Sequence, residues 1–313
     1  MLYLTEAEVQ SLVGMDDAIE ALDGAFRQWG RDGTTNLPRQ RLALPERAVN
    51  LMAASMPSAG VFGHKVYFRG FFMFTLYSIE ERKILAMIEA GTLGAIRTGA
   101  ASGIATRHLA RDDAATVGLI GLGRIGRNQL MAVTAVRPVR EVAVYCRTAE
   151  MRESFAAEMS AELGVAVRAV DSAEACVRNN EIVIVATNSK DPVIKGEWLS
   201  AGQHVNAVGA NAYARRELDD EAVMRADVRI TDDREQAKIE AREYIGLVRT
   251  GRIDWDDIGE LGAVVQGEAP QRTDDGAITL FKSLGVALED VAFAHMIYRR
   301  ALAQGVGKNL EAE

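Results

Sequence analysis

The chain has 313 residues, of which 36 are Lys or Arg and 44 are Asp or Glu, so its formal net charge is −8 at pH 7. The acidic balance and the dispersed basic residues argue against nucleic acid as a partner, and no apolar run approaches the ~18 residues of a membrane span. The N-terminal segment lacks the residue order of a signal peptide. Two cysteines are too few for a disulfide framework. The four histidines are scattered and do not have the spacing of metal ligands. We therefore expect a cytoplasmic α/β protein without a metal site, of about two domains at roughly 150 residues each.

The first 112 residues have an irregular pattern. Apolar residues at helical spacing predict a helix from Thr5 to Trp29, and a Gly/Asn/Pro stretch from Gly33 to Pro38 follows it. Short extended runs come next, at residues 41–44, 49–52, 65–68 and 71–77. A second predicted helix, Thr92 to Ala110, is rich in small residues, which indicates that another segment packs closely against it.

From Thr116 onward the pattern becomes regular. Short apolar runs alternate with helical stretches, at residues 116–120, 142–145, 165–167, 182–186, 204–208 and 228–230. This alternation predicts a parallel, doubly wound sheet that is covered on both faces. A further strand-like run at residues 278–281 leads into a final predicted helix, Val286 to Ala303.

A glycine-rich turn follows the strand predicted at residues 116–120. Its sequence is Gly121-Leu-Gly123-Arg-Ile-Gly126, and a helix begins within it. The three glycines suit a tight turn, close approach of the backbone to a pyrophosphate, and packing of the helix on the strand. The N–H groups at the helix start then hold the anion. This context predicts a nicotinamide dinucleotide site.

The next strand ends where the adenosine ribose would be recognised. It reads Val144-Tyr145-Cys146-Arg147-Thr148, without the acid that binds the ribose hydroxyls of NAD. Arg147 and Thr148 suit the additional phosphate of NADP, although Arg147 is also compatible with a simple exposed charge. NADP(H) is therefore favoured over NAD(H).

Three cations in the first 112 residues lie in or beside apolar runs. They are Arg41, Lys65 and Arg97. An unpaired charge in such surroundings is costly, and the arginine fork matches a carboxylate. Together with the dinucleotide site they predict a small anionic substrate, most simply an amino or imino acid, although for each cation taken alone a surface charge or an internal ion pair is the more common explanation.

Over nearly its whole length the sequence resembles the ornithine cyclodeaminase/mu-crystallin family. The stretches that carry the resemblance are Arg41-Leu-Ala-Leu-Pro, Gly63-His-Lys65, Arg97-Thr-Gly-Ala-Ala-Ser102, Gly121-Leu-Gly-Arg-Ile-Gly126, Val205-Asn-Ala-Val-Gly209, Arg216-Glu-Leu-Asp-Asp220, and Thr279-Leu-Phe-Lys-Ser-Leu-Gly285 through Glu289-Asp290. The family includes cyclodeaminases, ketimine and pyrroline-carboxylate reductases, alanine dehydrogenases and a lens crystallin. The resemblance implies an α/β fold with a Rossmann-type doubly wound domain at residues 113–285. It also implies a smaller, discontinuous α+β domain at residues 1–112 and about 286–313, onto which the last helix packs and which would bind substrate and form a homodimer.

The resemblance also implies roles for individual residues. Substrate would be held by Arg41, Lys65 and Arg97, with Leu284 closing the pocket. The dinucleotide would be bound by Arg97, Thr98, Gly121, Gly123, Arg124, Ile125, Gly126, Thr187, Asn206, Val208, Gly209 and Ser283, in addition to Arg147 and Thr148.

Two departures from the family pattern bear on the reaction. Ornithine cyclodeaminases have an Asp where this chain has Asn211, which cannot accept a proton, and many members have a threonine in place of Gly94. These differences favour reduction of a preformed cyclic ketimine, with Lys65 as the proton source and Asn211 hydrogen-bonded to the nitrogen. Ornithine cyclodeamination, from L-ornithine to L-proline plus ammonia with Glu217 or Asp220 as the base, is the nearest alternative. A catalytically silent cofactor-binding protein of the crystallin type is the second alternative.

Overall fold

The computed structural model describes residues 1–45 and 47–310 and divides the chain into two compact units. Unit 1 comprises residues 1–98 and 285–313, and unit 2 comprises residues 99–284. The first boundary falls inside a helix, so residues 99–112, which the sequence assigned to the first domain, belong to unit 2. The physical reason is that the end of this helix is bound to the sheet of unit 2, where the Thr279 hydroxyl donates to the Leu109 carbonyl at 3.0 Å.

The helices and strands follow in chain order. The first segment contains β1 (Leu2–Leu4), α1 (Glu6–Leu12), α2 (Met15–Gln28), β2 (Thr35–Leu44), β3 (Arg47–Met56), β4 (Val61–Phe68), β5 (Phe71–Ser78) and β6 (Ile84–Glu89). Next come α3 (Gly91–Leu109), β7 (Thr116–Ile120), α4 (Arg124–Val136), β8 (Glu141–Tyr145), α5 (Ala149–Leu163), β9 (Ala166–Ala169), α6 (Ala173–Arg178), β10 (Ile182–Val185) and β11 (His204–Ala207). The remainder contains α7 (Asp220–Arg225), β12 (Val228–Thr231), α8 (Arg234–Glu240), α9 (Arg242–Arg249), β13 (Ile258–Glu260), α10 (Leu261–Gln266), β14 (Thr279–Lys282), α11 (Ala287–Gln304) and β15 (Lys308–Asn309).

Unit 1 is built on a seven-stranded mixed sheet, here called sheet A, in the order β15-β1-β6-β5-β4-β3-β2. Strands β2 to β6 form an antiparallel meander, and β1 pairs parallel with β6. The long helix α11 packs across β3 and β4 and beside α2. This is the packing of the last helix that the resemblance implied.

Unit 2 is built on an eight-stranded sheet, here called sheet B, in the order β13-β12-β14-β11-β10-β7-β8-β9. Its paired strands all run parallel, which confirms the predicted doubly wound parallel sheet. The strand order reverses at β7, because β8 and β9 lie on one side of it and β10 and β11 on the other. A crevice at such a reversal is where open α/β sheets bind their ligands.

The N-terminal helix predicted from Thr5 to Trp29 is wrong as a single element. A capping box formed by Thr5 and Glu8 begins α1, Val13 then adopts an extended backbone, and the Gly14 N–H donates to Asp17 at the start of α2. The sequence periodicity did not register this two-residue break. The strands β1, β6, β13 and β15 were also missed.

Two further findings concern the described part of the chain. No helix in residues 1–45 and 47–310 combines the length and apolar character that crossing a membrane requires. Within the same ranges, no group of three His, Cys, Asp or Glu side chains is placed to hold a metal ion.

Candidate active site

Lys65 lies in the interior of unit 1, on the face of β4 that α11 covers. Its cross-strand partners on β3 and β5 are Met52 and Phe74, and the lysine is only 3% exposed. The ammonium donates to both carboxylate oxygens of Asp290 on α11, at 2.7 and 2.8 Å. Burial and the nearby charge of Arg97 lower the pKa of Lys65 to about 7, although Asp290 opposes the shift. A lysine of this kind exchanges its proton near neutral pH.

Arg97 lies on α3, whose first turn is fixed by a carboxylate. Glu6 accepts the N–H groups of Gly91 and Thr92 at 2.5 and 2.7 Å, so the helix begins at a defined position. The Arg97 guanidinium donates from Nη1 to Glu289 at 2.6 Å and from Nε to Asp290 at 3.0 Å. Burial would lower the pKa of Arg97, but the two carboxylates raise it, and the group stays charged.

The structure separates Arg39 from Arg41 on strand β2. Arg41 is exposed, and the substrate-binding role given to it stays a prediction. Arg39 is 3% exposed, donates from Nη2 to the Gly285 carbonyl at 2.8 Å, and contributes to the lowered pKa of Lys65. The buried cation that sequence reasoning sought on this strand is therefore Arg39.

Gly285 brings the two buried arginines together. It adopts φ +73°, and a Cβ atom there would lie 2.5 Å from Nη1 of Arg97. Its carbonyl accepts the hydrogen bond from Arg39. A side chain at this position is excluded twice, by the left-handed backbone and by the arginine.

Buried charged side chains of both signs meet in this cluster. Three cations, Arg39, Lys65 and Arg97, lie with two carboxylates, Glu289 and Asp290, and each of the five residues is at most 5% exposed. Two of the cations are guanidinium groups, whose planar forks match a carboxylate. The cluster is therefore suited to an anionic group.

In unit 2 the glycine turn has the form of a phosphate cradle. Gly121 adopts φ +99°, and a Cβ atom there would lie 2.4 Å from the Ala186 carbonyl oxygen. A Cβ atom at Gly126 would lie 2.0 Å from the Gly121 carbonyl oxygen, whereas one at Gly123 meets nothing within 4 Å. Gly121 and Gly126 thus make the turn tight, and Gly123, the N-cap of α4, leaves open space where a pyrophosphate approaches. These residues fit a dinucleotide.

The residues predicted to bind the dinucleotide around the cradle differ in exposure and in the unit to which they belong. Arg124 is exposed and Ile125 is half-buried in the first turn of α4, and Arg147 and Thr148 are exposed after β8. Thr98 belongs to unit 1, where its hydroxyl donates to the Gly94 carbonyl at 2.7 Å. The cofactor roles given to these residues stay predictions.

Three residues predicted to line the pocket have buried side chains. Asn206 is fully buried and donates to the Thr106 hydroxyl at 2.9 Å. The Leu284 side chain belongs to the apolar core of unit 2, and Ser283 is 1% exposed. The binding roles given to these three residues stay predictions.

Thr187, Val208 and Gly209 lie where β10 and β11 end, beside the cradle. A Cβ atom at Gly209 would lie 1.9 Å from the Thr187 carbonyl oxygen, so the two backbone segments are in close contact. Val208 is 7% exposed, and Asn211, which follows in the same loop, is half-buried. This edge of sheet B is where a doubly wound fold binds its ligand, and the places predicted for these residues beside the nicotinamide stay predictions.

The two carboxylates considered as replacement bases are both engaged. Glu217 is fully buried and accepts hydrogen bonds from the Thr187 N–H, the Thr187 hydroxyl and the Ala210 N–H, at 2.6, 2.8 and 2.8 Å. Asp220 is paired with Arg216 and with Arg252. Burial raises the pKa of Glu217, but both of its carboxylate oxygens are occupied by hydrogen bonds from Thr187 and Ala210.

Sequence reasoning missed several charged residues that the structure makes important. They are Arg39, Lys282, Glu243, Glu289 and Asp290. A usable signal existed for some of them, since Lys282 ends an apolar strand and Glu289 and Asp290 open an apolar helix. Buried charge in such runs indicates a paired group.

A family model places this arrangement among known proteins. The model of the ornithine cyclodeaminase/mu-crystallin family matches residues 1–305. The chain belongs to this family. The resemblance drawn from the sequence motifs is thereby confirmed.

Solved structures of similar proteins cover the whole chain. Δ1-pyrroline-2-carboxylate reductase of Thermococcus litoralis, in complex with NADH and L-proline, is 33% identical, with a TM-score of 0.95 over 99% of this chain and 100% of that one. An archaeal alanine dehydrogenase dimer with bound NAD is 32% identical, with a TM-score of 0.93 over 100% and 99%. The iminosuccinate reductase of Paracoccus denitrificans, in complex with NAD+, is 29% identical, with a TM-score of 0.92 over 100% and 99%. These neighbours confirm the predicted fold class.

Proposed function

We propose that this protein is an NAD(P)-dependent oxidoreductase that reduces the C=N bond of a small imino acid, of which a cyclic ketimine carboxylate is the preferred type. The observation that carries the proposal is the buried cluster of unit 1, in which two arginines surround a lysine that is paired with Asp290 and has a pKa of about 7. The reductases and the dehydrogenase to which the chain is similar belong to the same reaction class.

In this mechanism the cluster binds one carboxylate of the substrate. Arg39 supplies the fork, because its buried guanidinium, held at Nη2 by the Gly285 carbonyl, lies close enough to Lys65 to help lower the pKa of that lysine. Arg97 is already oriented by Glu289 and Asp290 and adds positive potential. Anchoring at the carboxylate fixes the position of the adjacent C=N bond.

Lys65 holds the proton that the reaction consumes. Reduction of an imine requires a hydride at carbon and a proton at nitrogen, and a nicotinamide dinucleotide bound to unit 2 supplies the hydride. The Lys65 ammonium donates its proton to the imine nitrogen, and Asp290 stabilises the ammonium when it forms again from solvent. A pKa near the working pH is the condition under which a general acid is most effective.

The structure favours imine reduction over ornithine cyclisation. Cyclodeamination needs a base that takes a proton from the substrate amine, and the Asn211 amide cannot accept one. Glu217 is held by hydrogen bonds from Thr187 and Ala210, and Asp220 by ion pairs with two arginines. Reduction of a preformed imine requires only the proton that Lys65 carries.

For the dinucleotide we propose NADP(H) in preference to NAD(H). Arg147 and Thr148 are exposed at the end of β8, and this segment of the fold recognises the adenosine ribose. No carboxylate stands at the end of the strand to repel a 2′-phosphate. Replacing Arg147 with Ala is expected to lower the ratio of kcat/KM for NADPH to that for NADH, and an unchanged ratio would remove Arg147 from this role.

We also propose a homodimer formed through the outer face of sheet A. Alternate residues of its strands point away from α11, and several apolar side chains on that face are exposed, among them Leu37, Leu42, Leu51, Phe62 and Phe71. Exposed apolar side chains gathered on one face are typical of an interface, and one solved relative is described as a dimer. Replacing Leu51 and Phe62 with Glu should convert the dimer to a monomer in light scattering, and a monomeric wild-type protein would contradict the proposal.

The proposed activity is tested by offering three imino acids to the purified protein. They are Δ1-pyrroline-2-carboxylate, iminosuccinate, and the imine formed from pyruvate and ammonia, each with NADPH and with NADH. Cofactor oxidation at 340 nm with an equimolar yield of amino acid is the expected result, highest for the cyclic substrate. Absence of turnover with all three would refute the proposed function.

A further inference from the structure

A buried charge network in unit 2 lies beneath the loop that follows β11. Lys282 is fully buried, donates to the Ala210 carbonyl at 2.6 Å, and lies 3.8 Å from Glu243. Glu243 accepts the backbone N–H of Glu217 at 3.0 Å. The carboxylate of Glu217 accepts the Ala210 N–H at 2.8 Å. Both polar groups of the Ala210 peptide backbone are therefore held by buried charged side chains.

The same carboxylate also holds the segment that follows β10. Glu217 accepts the N–H and the hydroxyl of Thr187, and a Cβ atom at Gly209 would lie 2.6 Å from its Oε1. Thr187 in turn adjoins the phosphate cradle, because a Cβ atom at Gly121 would meet its Cγ2 at 3.1 Å. Glu217 thus connects the loops after β10 and β11 to the turn after β7.

In a doubly wound sheet these two loops belong to the half of the site that receives the second nucleotide. The first nucleotide lies on the side of β8, so the nicotinamide half lies on the side of β10 and β11. We propose that Glu217 and Lys282 are positioning residues that hold the Thr187 and Val208–Asn211 segments in the conformation that binds the nicotinamide half of the dinucleotide. This proposal rests on the proposed function for the identity of the ligand, and it assigns no proton transfer to either residue.

The chemistry of the network explains why a carboxylate is needed at position 217. Its two oxygens face backbone N–H groups of different loops, Thr187 at Oε1 and Ala210 at Oε2. A glutamine side chain has one acceptor oxygen and one donor amide. Glu217→Gln therefore leaves one of these N–H groups opposite another donor, and the corresponding loop must shift.

The test compares a whole dinucleotide with a fragment that lacks nicotinamide. Binding of NADPH and of 2′-phospho-ADP-ribose, and of NADH and ADP-ribose in parallel, is measured calorimetrically for wild type and Glu217→Gln. We expect weaker binding of the dinucleotides with unchanged binding of the fragments. Unchanged affinity for all four ligands would overturn the proposal, and so would an equal loss for dinucleotides and fragments, which is the result of a general structural role.

A matched control is Glu181→Gln, at the opposite end of the same sheet. Glu181 also accepts backbone N–H groups, from Ala115 at 2.7 Å and Thr116 at 3.1 Å, where β7 begins. Its substitution should change the affinities for dinucleotide and fragment equally or not at all, and a selective loss of dinucleotide affinity equal to that of Glu217→Gln would contradict the proposal.

If Glu217→Gln does not fold, Glu243→Gln is measured in its place with the same criteria. This variant keeps an acceptor for the Glu217 N–H but removes the charge beside Lys282.

Kinetics provide a second readout that distinguishes positioning from binding of the imino acid. Misplacement of a reacting group by about 1 Å can cost about 10²-fold in rate, so kcat should fall by up to that factor while KM for the imino acid is unchanged. A rise in that KM with constant kcat would overturn the assignment. If the wild-type protein reduces no imino acid, the proposed function fails, but the binding comparison still decides whether Glu217 positions these loops.

Discussion

The Lys65 ammonium lies 2.7 and 2.8 Å from the two carboxylate oxygens of Asp290, although 225 positions separate the two residues in the chain. The contact joins β4 to the first turn of α11, where a carboxylate is also favoured by the helix dipole. A buried ion pair contributes little net stability, which is consistent with the catalytic role that we propose for Lys65. It keeps a lysine of low pKa at a fixed place beside two buried arginines.

Replacing Lys65 with Met should abolish turnover while leaving the cofactor site intact. Loss of a general acid costs about 10²–10⁴-fold in rate, and the dinucleotide cradle is built entirely by unit 2. The measurement is kcat for imine reduction together with the dissociation constant of NADPH. Lys83→Met is the control, because Lys83 is exposed and pairs with Glu81 at the surface. A Lys65→Met protein with full turnover would show that the proton comes from elsewhere.

The pH dependence of imine reduction should follow the ionisation of Lys65. Its ammonium must be protonated, so kcat/KM is expected to fall as the pH rises above about 7. The charged groups around it are Arg97 and Arg39, which lower the pKa, and Asp290, which raises it, and the Tyr67 ring lies 5.4 Å from Nζ. In the substrate complex an added carboxylate raises this pKa, so the decline of kcat should occur at higher pH.

The variant Asp290→Asn tests whether Lys65 is the group that titrates, by the direction in which the pH profile moves. Removing the negative charge lowers the pKa of Lys65 further, so the decline of kcat/KM should move to lower pH. Movement to higher pH, or no movement, would exclude Lys65 as the titrating group.

Arg39 and Arg41 form a matched pair for the carboxylate anchor. Loss of a hydrogen bond to a charged group costs about 1.5–3 kcal/mol, which corresponds to roughly 10- to 100-fold in kcat/KM. We expect this loss for Arg39→Met and little change for Arg41→Met, because only Arg39 is buried. The reverse order of effects would restore the interpretation made from the sequence.

Gly285→Ala should destabilise unit 1 and reduce activity. The left-handed backbone costs about 1–2 kcal/mol with a side chain, and the new Cβ atom would also lie 2.5 Å from Arg97 Nη1. Gly305→Ala is the control, because Gly305 has φ +66° and nothing within 4 Å of a Cβ atom. Urea unfolding should therefore show a larger loss at Gly285 than at Gly305, and equal losses would mean that the arginine adapts without cost.

Local patterns in the sequence predicted the parallel sheet, the phosphate cradle, Lys65 and Arg97. These patterns could not decide whether Arg39 or Arg41 is buried. Residues two apart on a strand share a face, and the strand also has a register shift between Leu37 and Gln40. Which of the two is buried depends on the C-terminal segment, where the partner of Arg39 is 246 positions away. The burial of the Asn206 amide could not be predicted for a related reason, since it depends on the packing of α3.

The most direct test of the central claim is a comparison of two substrates with product analysis. The protein is incubated with Δ1-pyrroline-2-carboxylate and stoichiometric NADPH, and separately with L-ornithine and catalytic NAD+ or NADP+, and proline and ammonia are quantified. Imine reduction predicts proline equal to the NADPH consumed in the first reaction and neither product in the second. Equimolar proline and ammonia from L-ornithine would contradict the account, because they would show that cyclodeamination proceeds with Asn211 in place of an acid.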